Sequence, residues 1–400
     1  MKKSIQDKRI YLDWAAATPL TPEVFLVLEP WLHTNFGNPS SIHQEGIITR
    51  QAIEESRGKV AKTLQVKPEF VTFTSGGTEA NNLTIFGLVE AKLAAGMTYA
   101  DMEVITTKIE HPSIGEAVAK LAALGVKVKY VSVDETGRID LNNLRELLSA
   151  KTILVSCAYA NSEIGTIQPL HSIRKIIREV EEREAVVIYF QVDAAQAPLW
   201  LSCQFDAVGA DFLTLDVGKC GGPKGVGILI QSRRAKLKPI MFGGGQEQGL
   251  RSGTENVAGI VGAATALSVA QANHKSVAEA VTSVRDEAVK YLLTEIPEAI
   301  VNGANGENRL ANNLNFSILG LDTEYAVVFL DSKGVSASTK SACAGAGGGE
   351  SKVVKEISND PARAASTIRF SLGPTTTLDE VKFAIDILAS HTKLMSGFNK

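Results

Sequence analysis

Between residues 69 and 230, short apolar runs alternate with longer stretches whose apolar positions recur every three to four residues. The short runs are EFVTFT, MEVITT, VKVKYVSV, TILVSCAYA, AVVIYFQV, DFLTL and GVGILI. Their length and their content of Val, Ile, Phe and Thr predict strands. Most are apolar along their whole length, the pattern of strands covered on both faces. The intervening SIHQEGIITRQAIEESRGKVAKTL, TEANNLTIFGLVEAKLAA, SIGEAVAKLAAL and SIRKIIREVEERE predict helices, several opening on a Ser or Thr that can cap the first turn. The alternation predicts an α/β fold with a mainly parallel sheet between two helical layers. Ligands of such sheets gather at the carboxyl ends of the strands.

After the glycine-rich stretch FGGGQEQGLRSGTEN the pattern changes. Two long helices are predicted, NVAGIVGAATALSVAQA and SVAEAVTSVRDEAVKYLLTEI, followed by a shorter mixed α and β region, which sets a domain boundary near residue 256. No internal repeat is visible. The one biased segment, SACAGAGGGES, has the composition of a flexible loop.

Composition narrows the function classes. The chain has 400 residues, 44% of them apolar and 21% charged, enough for two domains with a large core. A formal charge of -3 lacks the basic excess that holds a nucleic-acid backbone. No run has the length of a signal peptide or a membrane span, so the expected compartment is the cytoplasm. Cys157, Cys203, Cys220 and Cys343 are scattered without a C-x-x-C pair, which predicts free thiols and neither a disulfide framework nor a zinc site.

Several candidate residues fall at the predicted ligand edge. In FTSGGTEANN a strand runs into Ser75, Gly76, Gly77 and Thr78 and then a helix. Backbone N–H groups, the helix dipole and a hydroxyl there make an anion site, or an ordinary strand-to-helix turn. Asp193, followed by Gln196, ends another apolar strand. A carboxylate there can hold a pyridine nitrogen protonated, or simply cap a helix. Lys219 follows a further strand in a Gly-rich turn and can form a Schiff base with an aldehyde cofactor. A solvated lysine is the better account of Lys224. His111 sits between a strand and a helix, where an imidazole can stack on a flat ring and move protons near neutral pH as a catalytic group, or serve structure alone. Asn161 and Glu163 take the equivalent place on the next strand, where they also suit a turn. Cys343 lies among small residues near Lys340, a setting that favours thiolate. The other three cysteines suit buried packing. Arg369, in TIRFSLG, can clamp a carboxylate in a bidentate way.

The chain resembles the cysteine desulfurases of the iron-sulfur-assembly and nitrogen-fixation group, enzymes of the class V aminotransferase fold. The likeness runs through YLDWAAATP, FGNPSSIH, FTSGGTEANN, EHPS, ANSEIG, QVDAAQ, GPKGVG, GGGQEQGLRSGTEN, SACAG and IRFSLG, nearly end to end. It implies a fold type I transferase dependent on pyridoxal 5'-phosphate. Residues 15–255 would form a large cofactor domain with a seven-stranded sheet, and residues 1–14 with 256–400 a smaller α+β domain. It implies Lys219 as Schiff-base lysine and proton shuttle, Asp193 on the pyridine nitrogen, His111 stacked on the ring and Gln196 on its phenolic oxygen. Gly77 and Thr78 would hold the phosphate, and Thr254 would reach the phosphate of a partner subunit in a homodimer. Asn161 and Arg369 would orient L-cysteine, and Cys343 would accept its sulfur as a persulfide for transfer to an acceptor protein, leaving L-alanine.

Some positions depart from that family's pattern. Asp216 and Gly218 stand where a serine and a histidine usually precede the lysine, and Gln246 and Gln248 replace a His and an Arg of the glycine-rich loop. After Cys343, GAGGGESKVVKEI lacks the usual proline. Two other readings compete: a selenocysteine lyase or other enzyme of the same fold, and a relative that binds without turning over.

Overall fold

The computed structural model describes residues 9–339 and 349–398. After β1 (Ile10–Tyr11), the apolar runs become β2 (Val71–Thr74), β3 (Glu103–Thr106), β4 (Lys127–Tyr130), β5 (Thr152–Ala158), β6 (Tyr189–Asp193), β7 (Phe212–Asp216) and β8 (Gly227–Gln231). They form one seven-stranded sheet in the order β2-β8-β7-β6-β5-β3-β4. Only β8 runs against its neighbours, antiparallel to both β2 and β7. The strands from β3 to β7 are parallel to one another, as the sequence predicts. Their residues are buried on both faces, except in the edge strand β4, which carries Lys127 and Lys129. Lysines on an edge discourage pairing with another chain, and both of these lysines meet Glu103 on β3.

Helices Gln44–Leu64, Gly77–Ala94, Pro112–Ala123 and Leu170–Glu184 fall where periodicity puts them, but not behind the expected Ser or Thr caps. Their N-caps are His43, Gly76, His111 and Pro169. Two of these helices begin at the ligand edge, where the cap position is taken by a residue that shapes the cavity. Past residue 256 a single helix, Val257–Glu295, replaces the two predicted. The polar stretch around Asn273 and Ser276 reads as a break. Instead, both side chains bond carbonyls of the preceding turn, and with no Gly or Pro there the helix continues.

That helix serves two cores. Ile260, Ala263 and Leu267 join the cluster under the large sheet, while Val281, Ala288 and Leu292 pack with Phe316 and Phe370. The second cluster lies on a sheet of β9 (Ile300–Val301), β10 (Asn313–Ser317), β12 (Ser338–Thr339) and β13 (Thr367–Ser371), ordered β12-β13-β10-β9. β11 (Val335–Ser336) pairs in parallel with β1, which ties the start of the chain to this C-terminal region. No helix among the described residues is long and apolar enough to cross a membrane.

The glycine-rich stretch is anchored by one buried ion pair. Arg57 donates to Glu247 at 2.8 and 2.9 Å, and the backbone N–H of Phe73 donates to the same carboxylate at 2.8 Å. Removing one member of a buried pair leaves the other charge uncompensated, at about 3–5 kcal/mol. Glu247→Ala is therefore expected to lower unfolding free energy in urea by about that amount; a loss under about 0.5 kcal/mol, the scale of a surface substitution, would contradict the anchor.

Candidate active site

The carboxyl ends of β2, β3, β5, β6 and β7 surround one cavity of about 250 Å³. It is lined by Gly77 and Thr78 after β2, His111 after β3, Asn161 after β5, Asp193 and Gln196 after β6, and Lys219 after β7. The sequence-predicted residues of five separate segments thus meet at one place. Close passage of the backbone helps to build it. A Cβ on Gly227 would lie 2.4 Å from the carbonyl carbon of Gly76, so β8 can run against the turn that opens helix Gly77–Ala94 only as glycine.

Asp193 is buried at the end of β6, with both carboxylate oxygens held by neutral donors. Asn81 donates to Oδ2 at 2.8 Å and the backbone N–H of Ala195 donates to Oδ1 at 3.0 Å. Asn81 is itself fixed, accepting from Gln191 at 3.0 Å and donating to Ser113 Oγ at 2.9 Å. Ser113 Oγ in turn lies 2.8 Å from His111 Nδ1. The backbone N–H of Ser113 donates to that nitrogen at 3.1 Å. An amide N–H can only donate, so Nδ1 is the acceptor and the neutral ring carries its proton on Nε2. Burial lowers the His111 pKa, Asp193 opposes the shift and Lys219 adds to it.

Gln196 is buried and donates to the Ala15 carbonyl at 2.9 Å. Asn161 donates to the Ile109 carbonyl and accepts from the N–H groups of Glu163 and Ile164, which locks its turn. Lys219 ends the short 3-10 turn Val217–Lys219, capped by Asp216 through the Gly218 N–H at 3.0 Å. Cys157, Cys203 and Cys220 are buried, and burial pushes all three thiols up, so they pack rather than react.

Other candidates stand apart from the cavity lining or lie outside the described residues. Arg369, on β13, is buried and donates to Asp13 at 2.7 Å and to the carbonyl of the cavity residue Ser162 at 2.9 Å. Thr254 is exposed and does not line the cavity of its own chain. Cys343 lies outside the described residues. Glu163 faces away from the cavity lining and is met by the hydroxyl of Ser351, the N-cap of helix Lys352–Ser358.

Sequence reasoning missed Asn81, Ser113, Ser162 and Asp13. Asn81 carries the one usable signal, since it lies one helical turn beyond Gly77 on the stripe that must be buried. The other three are found only through contacts between distant segments.

Among the described residues no cation is paired with the buried Asp193, and the nearest groups on its oxygens are neutral. A protonated nitrogen heterocycle supplies the missing charge. Lys219 in the same cavity supplies an amine for an aldehyde, and the first N–H groups of helix Gly77–Ala94 suit a phosphate. The donor set fits pyridoxal 5'-phosphate, with Asp216 as the one discordant charge, and this sheet and site are those of a pyridoxal-phosphate enzyme of fold type I. The aminotransferase class-V family model matches residues 10–383, and the chain belongs to that family. It is 39% identical to the cysteine desulfurase IscS of Dictyoglomus turgidum over 381 residues, covering 95% of this chain and 94% of the relative. The cysteine desulfurase IscS of Clostridium botulinum (strain Hall) is 36% identical over 383 residues, covering 96% and 94%. Among solved structures, a NifS-like protein superposes with a TM-score of 0.87 at 31% identity, covering 96% of this chain and all of that one. The structure described as SspA in complex with cysteine gives 0.77 at 30% identity, covering 91% and 99%.

Glu110, beside His111, has a buried carboxylate oxygen, Oε2, with no hydrogen-bond partner among the described residues, while Thr107 donates to Oε1 at 2.6 Å. Burial, reinforced by the charge of Asp193 and opposed by hydrogen bonding from Thr107 and the Ala158 backbone, pushes its pKa up to about 8. The unfolded chain ionises this group near the ordinary value of about 4.3. Its stabilising effect is thus complete below that pH and is lost as pH rises toward the folded value. Glu110→Gln should remove this slope and be the more stable protein near pH ~7, by at most about 1.4 kcal/mol per pH unit above the unfolded pKa. Equal pH slopes in denaturant titrations of the two proteins would refute the assignment.

Proposed function

We propose that this chain is a cysteine desulfurase, converting L-cysteine to L-alanine and carrying the sulfur as a persulfide on Cys343. The observation that carries the reading is the meeting of Lys219, His111 and the cation-free Asp193 in one cavity. The Dictyoglomus and Clostridium relatives, which share its family, are cysteine desulfurases by name. Residues 15–255 act as the cofactor domain, and residues 1–14 with 256–400 as the domain that brings Arg369 and Cys343 to it.

Bound in the cavity, pyridoxal phosphate supplies an electron sink for the pair released at the substrate Cα. Asp193 would hold a proton on the heterocycle nitrogen, His111 would stack on its ring and Gln196 would bond its phenolic oxygen. Gly77 and Thr78 would bind the phosphate end. Lys219 Nζ takes the proton from the substrate Cα, and Arg369 with Asn161 orients the substrate, Arg369 through the carboxylate. Cys343 Sγ, as thiolate, forms an S–S bond with the substrate sulfur while the Cβ–S bond breaks. The electron pair stays with the three-carbon fragment, which takes up a proton on its way to alanine. Cysteine and one enzyme thiol thus become alanine and one persulfide, which an acceptor protein then reduces by taking the sulfur. The chain works in the cytoplasm as a homodimer, Thr254 of each copy reaching the other's phosphate site.

Wild-type protein given L-cysteine and a thiol should release alanine and sulfide, measured by chromatography and colorimetry. Cys343→Ala should keep the visible absorbance of the lysine-bound cofactor and lose alanine formation to background. Alanine at the wild-type rate from that variant would sink the persulfide role; an amino-group transfer product would favour another reaction of the fold. Lys219→Ala should lose both signals. Light scattering of the wild type should give twice the chain mass, and a monomer at micromolar concentration would rule out the Thr254 role.

A further inference from the structure

We propose that Asp216 weakens this chain's hold on the cofactor's phosphate and narrows its preference for pyridoxal phosphate over unphosphorylated pyridoxal. The inference rests on the reading of the cavity as a pyridoxal-phosphate site and concerns the end of it that receives the phosphate.

The geometry is specific. A side chain begun on Gly77 would meet Asp216 Cβ at 3.5 Å and Oδ2 at 3.6 Å, so the carboxylate lies beside the first residue of helix Gly77–Ala94. Asp216 also lines the cavity, and the Gly218 N–H bond to Oδ1 at 3.0 Å fixes its orientation. A carboxylate in that place already takes the favourable interaction with the helix N-terminus. A phosphate brought to the same N–H groups, with a charge between about -1.5 and -2, meets a like charge at short range.

The neighbouring cations are already held by other groups. Arg251 is paired with Glu79 at 3.0 Å, and the Lys224 ammonium is tied to the Thr18 carbonyl, which fixes its position without cancelling its charge. Lys219 is reserved for the aldehyde. Gly218 belongs to the same arrangement, because a Cβ at that position would lie 3.2 Å from Asp216 Oδ1. A larger residue at 218 would crowd the carboxylate that caps its own backbone N–H. The two departures from the family's pattern at 216 and 218 are therefore one structural unit, in which a carboxylate cap and the glycine that admits it replace other groups at the phosphate end.

The test is a titration of the full chain, stripped of cofactor, with pyridoxal phosphate and separately with pyridoxal. The visible Schiff-base absorbance is followed in wild type, Asp216→Ser and Asp216→Asn. The Asn variant keeps the shape and the acceptor for Gly218 N–H, so it guards against a folding defect in the Ser variant. The ratio of the two dissociation constants should shift in favour of the phosphorylated ligand by about tenfold in both variants, with pyridoxal affinity little changed. An unchanged ratio in both, or equal tightening toward both ligands, overturns the proposal while leaving the cofactor reading in place. No Schiff base with either ligand in any of the three proteins overturns the cofactor reading and this inference with it.

Discussion

A carboxylate taken out of water without a cation is costly, and much of the site is arranged around that cost at Asp193. Two neutral N–H donors hold its oxygens, one from Asn81 in helix Gly77–Ala94 and one from its own following turn. Asn81 is fixed by Gln191 on the same strand as Asp193 and passes the constraint to Ser113 and so to His111. The strand end and the starts of two helices are thereby cross-linked through a single buried amide. A group with a positive nitrogen that enters this cavity completes the electrostatics, and it finds the carboxylate already oriented.

The same cavity carries opposite demands at its other end. Helix Gly77–Ala94 offers its N-terminus to an anion, yet Asp216 already sits beside it. Lys219 and His111 line the same cavity, where burial, with a smaller contribution from Lys219, favours the neutral imidazole against the pull of Asp193 and Asp216. Neutral His111 suits stacking on an aromatic ring better than imidazolium does, because a second cation next to a protonated heterocycle would weaken the attraction of Asp193 for it. The cavity thus carries two carboxylates, an amine and an imidazole that burial keeps neutral, and Asp216 is the member that departs from what a phosphate requires.

How much of this was legible in the chain follows from the range of each interaction. The strands of the large sheet were readable because they are covered on both faces, and a short run that stays apolar throughout, set between helical segments, is what such coverage requires. Asp193, Lys219 and His111 were readable because they follow such runs directly. The helix Val257–Glu295 was misread as two because its polar middle looks like a loop, although side chains satisfied within the helix let it continue. The Ser and Thr caps failed where the ligand edge required His111 and Gly76 instead. Asp13 and Ser162 were invisible because they matter only through Arg369, which lies more than 200 residues away in both cases.

That last contact constrains how a substrate can be held. Arg369 lies on the smaller sheet, but its guanidinium is tied to Asp13 near the start of the chain and to the Ser162 carbonyl at the cavity wall. It therefore bridges the sheet that supplies it and the edge where the cofactor residues converge, and it cannot swing freely toward a ligand. Its Nε is buried and without a partner among the described residues. A buried N–H left unmade costs roughly 1–3 kcal/mol. A substrate carboxylate held by Arg369, the role proposed above, would compete with Asp13 for the Nη2 side. In that proposed role, binding strength at this end would be set by the difference between two carboxylates for one cation, so that selectivity would come from where the substrate's carboxylate is presented rather than from its charge alone.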